Sequence, residues 1–158
     1  ELRTSLSMLE NNARQAGVGI DATKKAFEDL YVVSGETDSS VEAVSNLLQS
    51  GFTESNLQKA VEGLANAATT FPDTIKIESL ADSLQETIAT GSATGQSAEL
   101  LDRMGIGAEN FSASLALCTD ETQRQQLALS VLVDGPLHGA YEGWKQNNET
   151  LPRIESLH

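Results

Sequence analysis

The sequence predicts an all-α fold, a bundle of about seven to nine short amphipathic helices joined by glycine-containing turns. Three observations carry that expectation. Apolar residues return at intervals of three and four along most of the 158 residues, the period of a helix with one buried face. Aromatic residues are scarce, with one Trp, two Tyr and four Phe. A core must therefore be assembled from Leu, Ile, Val and Ala, which suits packed helices better than a β-sandwich. Glycines fall near the ends of the periodic stretches, and an Asp, Ser or Thr able to cap the next helix follows within a few residues. A chain of this length buries roughly 70% of its unfolded surface in one domain, so neither a disulfide nor a metal is required to hold it.

Taken in order, the first stripe is Leu6, Leu9, Ala13 and Ala16, on a helix from Thr4 to Ala16 that Gly17-Val18-Gly19 closes. Asp21 is the expected cap of a second helix carrying Ala22, Ala26, Phe27, Leu30, Tyr31 and Val33. Lys24 and Glu28 are spaced to pair on its wet side, and Gly35 ends it. The cap-rich turn Gly35 to Ser40 leads to a short stripe, Val41, Val44, Leu47 and Leu48, ending at Gly51. Phe52 is then placed for the apolar contact of a Schellman ending. Thr53 is the expected cap of a longer helix with Leu57, Ala60, Val61, Leu64, Ala68 and Phe71 on one side, stopped by Pro72.

The stretch from Ile77 to Met104 reads as two amphipathic helices about a hinge, and the rest of the chain is expected to be organised around it. Ile77, Leu80, Leu84 and Ile88 face the core, Glu78, Asp82, Gln85 and Glu86 face water, and Thr90 to Gly95 supplies a glycine to end one helix and hydroxyls to cap the next. After Gly105-Ile106-Gly107, a helix from about Ala108 to Cys118 offers Phe111, Leu115 and Cys118 to the core. Thr119 or Asp120 restarts the chain into a helix with Leu127, Ala128, Val131 and Leu132 buried and Glu121, Gln123, Arg124 and Gln125 wet. Gly135-Pro136 reads as an end followed by a start, Leu137, Ala140, Tyr141 and Trp144 form the last stripe, and Asn147-Asn148 breaks it. Residues 1–150 are thus read as a single helical segment of a longer protein. Residues 151–158 are read as a loose tail, part of it left over from expression. Gly17 to Asp21 and Gly105 to Glu109 look alike, which is read as shared turn chemistry rather than a repeat.

Ten Lys plus Arg against twenty-three Asp plus Glu give a formal charge of −13. Such a field repels phosphate backbones and anionic lipid heads, so direct nucleic-acid binding is not expected. No apolar run approaches the roughly 20 residues needed to span a bilayer and no signal peptide opens the sequence, so a soluble segment without membrane contact is expected. Cys118 is the single cysteine, which excludes an intrachain disulfide and is read as a buried core thiol. The sequons at Asn110 and Asn148 are read as chance matches.

Catalysis would need convergent ionisable groups, and only Cys118, His138, His158 and scattered carboxylates are available. A thiol in an apolar helical run is inert, and no residue is nominated to orient His138. Glu36, Asp38 and Glu42 are better explained as residues of a helix start than as cation ligands. The segment Gly91 to Gly95 lacks the lysine and the preceding strand of a phosphate-binding loop. A helix-turn-helix over Ser97 to Leu115 has the right lengths, but its second helix carries Glu109, Asn110, Ser112 and Ser114 and no cation. No catalytic, cofactor-binding or metal-ligating residue is nominated.

The string from Leu80 to Gly105, LADSLQETIATGSATGQSAELLDRMG, resembles the core region of phage tail tape measure proteins. So do Ala26 to Leu30, Ser34 to Ala43, Phe71 to Glu78, Thr119 to Gln123 and the run from Tyr141 to Asn148, which together spread over most of residues 5 to 148. Ser97 departs from the pattern, since a larger apolar side chain is expected there. The resemblance implies a structural segment without enzymatic activity that helps set tail length and template the tail tube. Its implied partners are tail-tube and tail-assembly proteins and further copies of itself, in the host cytoplasm during assembly and in the tail lumen of the finished virion. The residues alone also fit a small helical adaptor or regulatory domain that binds one partner through an exposed apolar groove.

Overall fold

A computed structural model describes residues 2–148. Among the described residues there are nine α-helices and no strands, as the periodicity predicts. They are α1 (Leu2–Ala16), α2 (Ile20–Ser34), α3 (Thr37–Gln49), α4 (Glu54–Thr70), α5 (Ile77–Thr90), α6 (Gly95–Arg103), α7 (Ala108–Leu115), α8 (Glu121–Asp134) and α9 (Ala140–Asn148).

The organising element is α4 rather than the hinged pair. Leu57, Ala60, Val61, Gly63, Leu64, Ala65, Asn66, Ala67 and Ala68 are all buried, and α2, α3, α5, α8 and α9 all pack against it. Its sequence shows one strong stripe, but glycine and alanine on the remaining faces let neighbouring helices approach from those sides too. The rest of the core is mostly Leu, Ile and Val from α1, α2, α3 and α5, with Phe27 and Phe52, joined by Leu100, Leu101, Phe111, Leu115, Leu129 and Leu132. Each fully buried side chain of this kind contributes about 1.5–3 kcal/mol. The α6 helix lies on α5, and α7 lies on α6.

The two similar turns share their chemistry, as expected. At Gly17 (φ 76°) the Val18 N–H bonds the Ala13 carbonyl at 2.9 Å, and at Gly105 (φ 82°) the Ile106 N–H bonds the Leu101 carbonyl at 3.1 Å. Both glycines sit in the left-handed region that a Schellman ending requires. Thr53 and Asp120 are the caps of α4 and α8, accepting from the N–H groups of Asn56 and Gln123.

Other expectations are corrected. Asp21 lies inside the first turn of α2, and the Gly19 N–H at that helix start bonds Glu54 Oε1 at 2.6 Å, so the capping group comes from α4. Lys24 pairs with Glu10 of α1 at 3.9 Å instead of Glu28, while Lys25 and Asp29 form the i,i+4 bridge at 3.0 Å. Ala16 and Tyr31 are exposed. The α3 helix begins at Thr37, inside the expected turn, and the buried Ser40 hydroxyl bonds the Glu36 carbonyl. On α8 the buried side is Gln125, Ala128, Leu129 and Leu132. Gln125 is not wet, because its amide donates to the Ser50 carbonyl at 2.8 Å, beyond the last turn of α3. Pro136 does not start α9. Residues 136–139 form a turn, and α9 continues through Asn147 to Asn148. The expected tail 151–158, His158 and the rest of the Asn148 sequon lie outside the described residues.

Candidate interaction site in the hinged pair

Gly91 ends α5 in the left-handed region with its N–H on the Thr87 carbonyl at 2.9 Å, but no hinge hydroxyl caps α6. The cap comes from across the interface. Ser83 Oγ, on the buried side of α5, accepts the Ser97 N–H in the first turn of α6 at 2.9 Å and lies 2.8 Å from the Ser97 hydroxyl. The Ser83 hydroxyl also donates to the Leu80 carbonyl at 3.2 Å. This explains the departure at Ser97, where a larger apolar side chain was expected. A small hydroxyl closes a polar pair with Ser83, and a Cβ on Gly95 would stand 3.1 Å from the Ser83 Cβ. The helices therefore meet too closely for bulk at this point.

Further polar bonds hold the pair in place. The Gln96 amide accepts the Lys76 N–H and donates to the Thr74 carbonyl, both at 3.0 Å, tying the start of α6 to the turn before α5. Ser112 Oγ of α7 accepts the Ala93 N–H at 2.9 Å, and Asp102 Oδ1 accepts the Ala108 N–H at 2.8 Å. Arg124 reaches from α8 to donate to the Ile88 and Ala89 carbonyls. A cation there complements the negative end of the α5 dipole. Sequence reasoning placed Arg124 in water and missed the parts played by Ser83, Gln96 and Ser97. The one available signal was polar residues in phase with apolar ones, Ser83 beside Leu84 and Ser97 three before Leu100.

Residues considered for chemistry stand apart from this arrangement. Cys118 is half-buried in the turn after α7, with Sγ 3.9 Å from the Ser114 carbonyl, so the core-thiol expectation is corrected. The chain leaves α7 at Leu115, one turn before the cysteine could face inward. His138 Nδ1 lies 2.8 Å from the Val133 carbonyl in an exposed turn. Glu36 accepts from the Ser39 hydroxyl, which lies 3.3 Å from Glu78 as well. Among the described residues no three His, Cys, Asp or Glu side chains are grouped to hold a metal ion, and no helix is long and apolar enough to cross a membrane. Among the described residues the exposed large apolar side chains are Met8, Tyr31, Val32 and Leu117.

Among the described residues one titrating group is displaced. Burial, with the Asp29 and Glu142 carboxylates adding to it, pushes the Tyr141 phenol up from 10.0 to about 12. The folded chain then keeps a proton that the unfolded chain has already lost. This contribution is fully present below pH 10 and is lost as the pH rises towards about 12. Unfolding midpoints should fall over that window in step with tyrosinate absorbance, and Tyr141→Phe should flatten the fall.

Compared with protein-family models, with curated proteins and with solved structures, the chain matches none.

Proposed function

We propose that this chain is a structural segment of a phage or prophage tail tape measure protein, which acts through helix–helix contacts with tail-tube and tail-assembly proteins and performs no catalysis. The observation supporting this reading is the stretch from Leu80 to Gly105, whose sequence resembles the core region of those proteins and whose two helices pack against each other. The pair's outer side, with Asp82, Glu86, Glu99 and Asp102, is polar, while its inner side is apolar apart from the buried hydroxyls of Ser83, Thr87 and Ser97. Short amphipathic helices of this kind have two uses for one face. They close a core when the segment stands alone, and once the turns open they lay the same face against further copies or a tube lining.

In-frame deletion of Thr53 to Met104 from the parent phage, read as tail length by electron microscopy, tests the proposal. A segment that measures takes about 1.5 Å off the tail per residue removed, the rise of a helix. Loss of all tails is the result for a segment that starts assembly. Tails of unchanged length overturn the proposal. The second reading, a small helical adaptor, is favoured by the exposed Met8, Tyr31, Val32 and Leu117. It requires a monomer that captures a single partner unrelated to tails.

A further inference from the structure

We propose that α6 and α7 form a lid, hung from one point of the bundle, that swings open as a unit while the remaining helices stay folded. This opening rests on the packing alone and is independent of the tail reading. The two ends of the segment meet. Arg124, near the start of α8, donates to the Ile88 and Ala89 carbonyls at the end of α5, so the chain leaves the bundle and rejoins it beside one side chain. The connections carry little packing: Ser92 and Thr94 on one side and Ala116, Leu117 and Thr119 on the other are exposed, Leu117 at 84%. Bonds within the segment are its own, since Ser112 holds the Ala93 N–H and Asp102 holds the Ala108 N–H. The two helices therefore travel together.

The seam that closes the lid is the weak one. The α6 helix packs on α5 and α7 on α6, and neither packs closely on any other helix. Leu100, Leu101 and Phe111 of the lid share a cavity of about 20 Å³ with Leu84 of α5 and Leu132 of α8, so the seam is not filled. Side chains around an unfilled space forgo part of their dispersion attraction. The seam is polar as well. Ser83 and Ser97 meet hydroxyl to hydroxyl at 2.8 Å, and Thr87, one turn beyond Ser83 on the same cavity wall, is buried without a hydrogen-bond partner among the described residues. A hydroxyl pair adds less to closure than an apolar contact, because opening returns both groups to water, and an unpaired buried hydroxyl detracts from it. The remaining ties are the Gln96 bonds to Thr74 and Lys76 and the Arg103 guanidinium over the Phe71 ring at 5.6 Å. The Gln96 bonds and Arg103 are exposed, where water competes. Lifting the lid bares apolar faces of α5 and α8, and the central helix α4 keeps its partners α2, α3, α5, α8 and α9.

Hydrogen exchange of the folded full chain, followed amide by amide in urea concentrations below the unfolding transition, tests the lid. The amides of α6 and α7 should share one opening, with protection about a hundredfold below that of α4 and a smaller dependence on urea. Two variants separate lid opening from global unfolding. Val61→Ala removes buried volume from α4, away from the lid. It should lower α4 protection about tenfold and leave α6 and α7 unchanged, because the open lid keeps that packing. Gln96→Ala removes bonds that both openings break, so it should lower protection in α4, α6 and α7 by one common factor. Exchange of α6 and α7 at the α4 rate overturns the proposal, as do separate openings for the two helices. A response of the lid to Val61→Ala equal to that of α4 overturns it too. The urea dependence in the parent chain decides the matter by itself if Val61→Ala does not fold.

Discussion

Asn66→Ala is expected to destabilise the folded chain by about 3 kcal/mol, the sum of two buried backbone groups losing their partner at roughly 1–3 kcal/mol each. Asn66 is fully buried on α4. Its amide nitrogen donates to the Leu132 carbonyl at 3.1 Å, and its amide oxygen accepts the Tyr141 N–H at 2.9 Å. The first bond satisfies a carbonyl in the last turn of α8, and the second satisfies an N–H in the first turn of α9. One side chain therefore fixes where α8 stops and where α9 begins against the central helix. Alanine leaves both groups without water and without a partner. Asn66→Asp separates the two bonds. The carboxylate still accepts from Tyr141 but faces the Leu132 carbonyl oxygen with no proton to offer, so the loss at neutral pH should match or exceed that of alanine. It should shrink as the solution is acidified and the new carboxyl takes up a proton. Urea unfolding reads both variants, with the midpoint moving and the slope held if the fold is otherwise intact.

Asn66 also marks where the sequence stops being legible. The helices were readable because a single face of α1, α2, α3 and α5 is buried, so their apolar spacing and their buried residues coincide: Leu9 and Ala13, Ala26 and Leu30, Val44 and Leu47, Leu80 and Leu84. Gly35, Gly51, Gly91 and Gly105 were readable as ends because a left-handed residue after a helix is a local requirement. The central position of α4 was not, because Ala65, Ala67 and Asn66 carry no apolar period that distinguishes burial on every side from exposure. Polar residues with distant partners were the systematic loss. Glu54 at the start of α2, Gln125 beneath α3, Arg124 on the end of α5 and Ser83 at the start of α6 each satisfy a backbone group 14 or more positions away. A periodicity reading places Arg124 and Gln125 in water and gives Glu54 and Ser83 no role, since nothing local distinguishes a cap donated by another helix. The candidate site suffered most from this. Its sequence reads as a small-residue hinge with hydroxyls to cap the next helix, whereas Ser83, Gln96 and Ser112, none of them in the hinge's own run of hydroxyls, pin both arms and the turn between them.

Gly63→Ala should destabilise the fold by about 1–3 kcal/mol, the usual range for forcing extra volume into a packed core, although the same change in an open helix is stabilising. Gly63 lies in the middle of α4 where α8 crosses it, and a Cβ there would stand 2.8 Å from the Leu132 Cβ. Ordinary contact between such carbons begins near 3.5 Å. Alanine's advantage in helix propensity, about 1 kcal/mol, acts in the opposite direction and is the smaller effect. Gly143 supplies the control. It sits inside α9 with nothing within 4 Å of an added Cβ, so Gly143→Ala should stabilise by about 0.5–1 kcal/mol. Opposite signs for one substitution in two helices would isolate close approach as the cause, and equal signs would remove it. Truncating Leu132 to alanine should not rescue Gly63→Ala, because the colliding atom is the Leu132 Cβ, which alanine retains. Relief requires α8 to move away from α4, and that movement stretches the bond from Asn66 to the Leu132 carbonyl. The two substitutions on α4 should therefore be non-additive. With Asn66 already replaced by alanine, α8 is freer to shift, and Gly63→Ala should cost less than it does in the parent chain.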